Sequence, residues 1–139
     1  MQAPAWNMRY SPRGCGYMDK KKLSDLECPE KIVYHAIWLQ ECFSDADDEN
    51  VFLNDRRMTD IGSFNVSQIG EYACKINNDI LNKYPEIPWN HIQGMRHRTV
   101  HDYDGVNNLV VWDVIKNGLD PLLETVANMI DDIKEQNEK

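Results

Sequence analysis

The sequence predicts an all-α fold, an antiparallel bundle of four to five helices. Two observations predict it. Apolar residues recur at three- and four-residue spacings along most of the chain after Pro29. No convincing β-hairpin signal, an alternating apolar pattern flanking a tight turn, interrupts them. Short connections between striped helices make neighbours antiparallel.

The elements follow in order. Pro29 fits a first helical position, and Ile32, Val33, Ala36, Ile37, Leu39 and Phe43 continue a stripe that should end near Ser44. The acidic run Asp45, Asp47, Asp48 and Glu49 reads as a solvated loop. Residues 55–83 read as one long helix with Ile61, Ile69, Tyr72, Ala73, Ile76, Ile80 and Leu81 on its apolar face; Asp60 heads a shorter version of it. Pro85 and Pro88 break the chain. Pro88 then opens a helix through Trp89, Ile92, Met95, Val100 and Tyr103, which Asp104-Gly105 stops. Asn107 or Asn108 caps a helix carrying Leu109, Val110, Trp112, Val114 and Ile115, ended by Gly118. Asp120 caps a last helix opened by Pro121, striped by Leu122, Leu123, Val126, Met129, Ile130 and Ile133.

Composition narrows the classes. The chain has 139 residues, 42% hydrophobic and 27% charged, which is the size and make-up of one ordinary globular domain. No apolar run approaches the ~20 residues of a membrane span. The N-terminus lacks the apolar core of a secretory signal, so a cytoplasmic location is expected. Net charge is −8, which argues against a general DNA-coating role. The charge is uneven: residues 1–22 hold five basic residues and one acid, and the remainder is strongly acidic. Residues 1–18, with Pro4, Pro12, Gly14 and Gly16 and no periodicity, read as a flexible tail ahead of a helical domain over 19–139. Cys15, Cys28, Cys42 and Cys74 have no close spacing of a zinc or redox motif and read as reduced; Cys42 and Cys74 fall in helical patterns as small core residues.

The chemistry concentrates at 91–103. His91, His97 and His101, three of the four histidines, fall there with Arg96 and Arg98, and residues 87–101 contain no acid. In so acidic a chain this is the place to attract a phosphate. On an unbroken helix Arg96 and His101 lie roughly 140° apart. They converge on one phosphate only if the helix frays near Asp102 or a second subunit completes the site. His97 and His101, four apart, share a face. Such a set allows RNA phosphodiester cleavage. A neutral imidazole takes the 2′-hydroxyl proton, an imidazolium protonates the leaving oxygen, and a guanidinium holds the phosphate. No metal or other cofactor is required, and a third zinc ligand beside the two histidines is not evident. Individually, Arg96 also fits a surface ion pair, His101 a half-buried structural histidine, and Tyr103 helix-end packing. Trp89 and Trp112 read as core or interface aromatics. Gly94, mid-helix, suggests a close helix–helix or subunit contact.

Tyr84-Pro85-Glu86-Ile87-Pro88-Trp89, Gly94-Met95-Arg96-His97-Arg98-Thr99-Val100-His101-Asp102-Tyr103, Gly105-Val106 and Val111-Trp112 together resemble the HepT branch of the HEPN superfamily. Ile69-Gly70-Glu71 and Leu119-Asp120-Pro121-Leu122 match as well; the resemblance covers about 50–130 well and 19–45 loosely. It implies a helical homodimer whose motifs line a shared cleft. It also implies a metal-independent endoribonuclease, the toxin of a toxin–antitoxin pair. The implied partner is a minimal nucleotidyltransferase antitoxin that adenylylates a tyrosine two residues after the motif histidine. Carried over, Arg96 and His101 are catalytic and Tyr103 is modified. His97 replaces a position commonly Asn and adds a second imidazole, so either histidine can carry the proton. Phe64-Asn65 stands where many relatives place a basic residue, and residues 1–17 have no family counterpart. A non-catalytic helical binding partner of the nucleotidyltransferase is the competing function.

Overall fold

The computed structural model describes residues 25–96 and 107–138. Helix α1, Glu27–Cys42, buries Cys28, Ile32, Ala36 and Leu39 along the predicted stripe. Pro29 sits third rather than first, where its missing N–H is still one of the first-turn groups without a helical acceptor. The helix stops two residues before Ser44. Ile37 and Cys42 face outward, so Cys42 is not the core residue its helical position suggested.

The acidic run is only partly a loop. Asp48 accepts backbone hydrogen bonds from Asn50 (2.8 Å) and Val51 (3.3 Å) and so starts α2, Glu49–Asn54. Two orphan first-turn donors are satisfied by one carboxylate. Phe52 of α2 is fully buried, edge-on to Phe43 and beside Trp112.

Asp55, not Asp60, heads α3, Arg56–Cys74, accepting from Arg57 (2.9 Å) and Met58 (3.4 Å). The single helix expected over 55–83 breaks after Cys74. Asn77 caps a one-turn helix α4, Asn78–Leu81, by accepting from Asp79. The apolar stripe runs on through the break because Ile76, in the turn, is itself buried. Ile61, placed on that stripe from its spacing, is 41% exposed.

Pro88 precedes α5, Trp89–Gly94, and a turn at Met95-Arg96 follows it. The predicted continuation through Val100 and Tyr103 lies outside the described residues.

Asn107 caps α6, Asn108–Asp113, as expected. The helix does not end at Gly118. A π-helical segment, Val114–Gly118, carries it into α7, Leu119–Asn137. Pro121 cannot donate to the Asn117 carbonyl and its ring crowds that oxygen; the wider π turns just before it relieve the clash. Asp120 is therefore not a cap, and its carboxylate accepts from Gln40 of α1 at 2.7 Å. Lys116 ties the same region to the end of α1, donating to the carbonyls of Phe43 and Ala46.

Seven α-helical segments and one π segment occur among the described residues, with no strand. Four of the α-helices have six residues or fewer. The long helices α1 and α3 run antiparallel: His35 meets Asn65, while Cys28, nearer the start of α1, feels the charge of Lys75 just past the end of α3. Helix α3 touches α1, α2, α5 and α6, and α7 closes over α1. No described helix is long and apolar enough to cross a membrane.

Candidate active site

The stretch with the predicted chemistry begins where α5 ends on α3. Their approach is set by Gly70. A Cβ there would stand 2.6 Å from the Ile92 carbonyl oxygen and 2.9 Å from the Arg96 nitrogen, closer than side chains tolerate. Backbone thus lies against backbone, and only glycine permits it. Gly94, the expected site of a close contact, is buried on α5 between the Ile92 and Arg96 backbone that Gly70 meets.

Side chains lock the same junction. Gln93, buried, donates to the Ala73 carbonyl at 3.2 Å, and the Cys74 thiol lies 3.9 Å from the Gln93 carbonyl. At the other end of α5, the Trp89 indole donates to the Tyr84 carbonyl at 2.9 Å. The Tyr84 hydroxyl donates to Asp132 of α7 at 2.5 Å. Burial, then the bond to Asp132 and its charge, then Glu86, hold the Tyr84 phenol up at about 12. Helix α5 is thereby pinned at both ends.

Arg96 is placed by this frame. It is 4% exposed, and its Nη1 donates to the Cys74 sulfur at 3.1 Å. It is buried, whereas the residue alone also fitted a surface position. Bringing a guanidinium into the interior is costly unless it is hydrogen-bonded. A buried arginine at the end of a doubly pinned helix is therefore a position the fold holds with care. His91 lies half-buried on α5. His97, Arg98, His101, Asp102, Tyr103 and Asp104 lie outside the described residues, so the predicted convergence of Arg96 with His97, His101 and Tyr103 is not resolved. Among the described residues, no group of three or more His, Cys, Asp or Glu is placed to hold a metal ion.

The model of the ribonuclease HepT-like family matches residues 34–129. The chain belongs to the ribonuclease HepT-like family. An inferred RNase of Methanocaldococcus jannaschii is 29% identical to it over 87 residues, 63% of this chain and 72% of the relative. A second inferred RNase of that organism is 39% identical over 70 residues, 50% of this chain and 58% of its own length. An inferred ribonuclease HepT of Thermococcus cleftensis is 39% identical over 54 residues, 39% of this chain and 49% of the relative. The chain thus spans only about half to three quarters of these relatives. No solved structure gives a significant match. For this HepT-like chain, the motif Ile69-Gly70-Glu71 acquires a physical reason in the Gly70 contact that seats Arg96.

Two features of the described structure have little or no sequence signal. Gln93 and Cys74 are the polar seat of Arg96, although neither stands out by type or spacing. The fourth histidine, His35, lies apart from the motif against Asn65, 2.8 Å away. The Asn65 amide nitrogen donates to the Ile61 carbonyl (2.8 Å), which turns its oxygen toward His35. His35 therefore carries its proton on Nδ1. Tyr72 stacks on its ring, and Tyr34 and Phe64 meet it edge-on.

Proposed function

We propose that this chain is a metal-independent endoribonuclease, the toxin of a toxin–antitoxin pair, acting as a homodimer in the cytoplasm. The observation that carries the reading is the family match over 34–129, which spans the cluster containing Arg96, His97, His101 and Tyr103. The seating of Arg96 by Gly70, Gln93 and Cys74 supports it, because a phosphate-holding guanidinium works best when fixed in advance.

In this reading His101 or His97, as neutral imidazole, takes the proton of a ribose 2′-hydroxyl. The freed oxygen attacks the adjacent phosphorus, and the bond to the 5′-oxygen breaks. An imidazolium protonates that 5′-oxygen, leaving a 2′,3′-cyclic phosphate and a 5′-hydroxyl. Arg96 balances the charge that builds on the phosphate. The nucleophile belongs to the RNA, so no metal is needed to generate one. The partner is a minimal nucleotidyltransferase antitoxin that adenylylates Tyr103. The added phosphate brings negative charge and bulk beside the phosphate site and repels RNA.

The test is RNA cleavage by the purified chain with chelator present. Wild type should cleave and His101→Ala should not, with unchanged helical content; normal cleavage by His101→Ala removes the assignment. Co-expression with the nucleotidyltransferase should add adenylyl mass at Tyr103 and abolish cleavage.

A second reading, a non-catalytic helical partner of the nucleotidyltransferase, is favoured by one observation: Arg96 is 4% exposed and bonded to sulfur. Growth arrest on expression of the chain alone separates the two, since a docking subunit is harmless.

A further inference from the structure

Between α4 and α5 the surface opens into a pocket of about 310 Å³, at the small end of the range for ligand pockets and roomy enough for one flat heterocycle. Its floor is apolar: Leu81, Ile87 and Trp89 line it, and each belongs to the buried core. Pro85 and Pro88 add flat ring faces. The polar lining consists of the amides of Asn78, Asn82, Asn90 and Gln93, with the imidazole of His91.

None of the described lining residues is an aspartate, glutamate, lysine or arginine. In a chain with 27% charged residues, that neutral lining selects against an ion as occupant, because a phosphate or a cation meets no fixed opposite charge there. An amide presents a donor beside an acceptor and complements the edge of a neutral heterocycle that does the same. An apolar floor with an amide rim offers an unstacked base a face to lie on and an edge to bond.

Gln93 joins this pocket to Arg96. It is 6% exposed and donates to the Ala73 carbonyl at 3.2 Å, so its orientation is fixed, whereas Asn78, Asn82 and Asn90 are exposed and can adapt. The Cys74 sulfur stands 3.9 Å from the Gln93 carbonyl oxygen and 3.1 Å from Arg96 Nη1. One sulfur atom thus separates the pocket wall from the guanidinium. Along the chain, Arg96 follows His91 by roughly 7–8 Å at helical rise. A base and a phosphate of the same or adjoining nucleotides span that separation.

We propose that the α4–α5 pocket takes an unpaired nucleobase of the RNA strand whose phosphate Arg96 holds, with Asn82, Asn90 and Gln93 reading its edge. The identity of the strand rests on the nuclease reading above; the pocket and its neutral lining stand without it. Arg96 supplies an attraction that every nucleotide shares, and the pocket supplies discrimination between bases.

The test is equilibrium binding to the full wild-type chain, read by fluorescence anisotropy of end-labelled single strands. The strands carry 2′-O-methyl groups in place of the hydroxyl nucleophile, so the proposed mechanism cannot cleave them. Four are homopolymers of A, C, G and U, and a fifth has the same backbone without bases. At least one homopolymer should bind about tenfold or more tighter than the abasic strand, the gain of a bonded and stacked base. Asn82→Ala and Asn90→Ala, both at exposed positions, should each weaken the preferred strand about fivefold and leave the abasic strand unchanged, at equal helical content. Equal affinity for all five strands, binding of none, or asparagine variants that spare the preferred strand or weaken the abasic one equally would each overturn the proposal. Free nucleoside monophosphates, added as competitors, should displace the preferred strand only weakly; one that binds as tightly as the strand would assign the pocket to a free nucleotide instead. Cleavage of unmodified RNA is scored separately. Cleavage without base discrimination fails the pocket alone, and base discrimination without cleavage fails the nuclease reading alone.

Discussion

Helix α3 presents two flanks of opposite character. Toward α5 and α6 it is built of small residues, Gly62, Ser63, Gly70, Ala73 and Cys74, all buried. Toward solvent, beside α1, it carries Ile61 and Phe64, both exposed. The small flank lets backbones approach and fixes Arg96; the large flank stands outside the buried core of the described residues. One helix thus carries two kinds of surface. Its inner face trades side-chain volume for precision, and its outer face leaves apolar side chains exposed.

Gly70 is the least tolerant position of the inner flank. Gly70→Ala puts a methyl group 2.6 Å from a backbone carbonyl, which cannot swing away. Despite Ala's better helix propensity, the change should cost about 2 kcal/mol. Thermal unfolding should show a fall in Tm of about 5–10 °C, and RNA cleavage should fall with it as Arg96 shifts.

Tyr84→Phe loosens the far end of the same strut. It removes the hydroxyl bond to Asp132 and should cost about 1–2 kcal/mol by denaturant unfolding. The folded phenol titrates near 12 rather than 10. Its raised value means the protonated form is the one the fold favours. The contribution is therefore full below pH 10 and is lost as pH rises toward 12, a loss that Tyr84→Phe should not show.

Gly62 differs because its neighbours are side chains. A Cβ there meets the side chains of Val111 at 3.0 Å, Ile115 at 3.1 Å and Phe52 at 3.4 Å, and no backbone. Gly62→Ala should change stability by less than about 1 kcal/mol, helix propensity offsetting the crowding. Phe64→Ala on the outer flank should change the folding stability of the isolated subunit least, by about 0.5 kcal/mol or less in dilute chemical unfolding.

How much of this is legible in the sequence depends on whether a signal is local. The cap at Asn107 and the stripes of α1 and α7 are set by neighbouring residues and are readable. The break between α3 and α4 is hidden because Ile76 keeps the apolar rhythm through a turn, although Asn77 two residues before Asp79 marks a cap. The joined α6–π–α7 rod escapes a sequence reading because Gly118 and Pro121 signal an ending, while the π turns accommodate both. Ile61 and Phe64 show why periodicity cannot separate core from exposed surface: both are apolar on a helix, and only the elements packed against them decide. At the site, the histidine–arginine cluster is legible by composition. Its seat is not, since Gly70 and Cys74 meet Arg96 only across the tertiary fold.

The nuclease assignment meets its most direct test in one comparison: cleavage of single-stranded RNA, with chelator present, by the wild-type chain and by His101→Ala at equal helical content. Wild type should yield fragments ending in 2′,3′-cyclic phosphate and the variant none. Intact RNA with wild type, or equal cleavage by both, would contradict it.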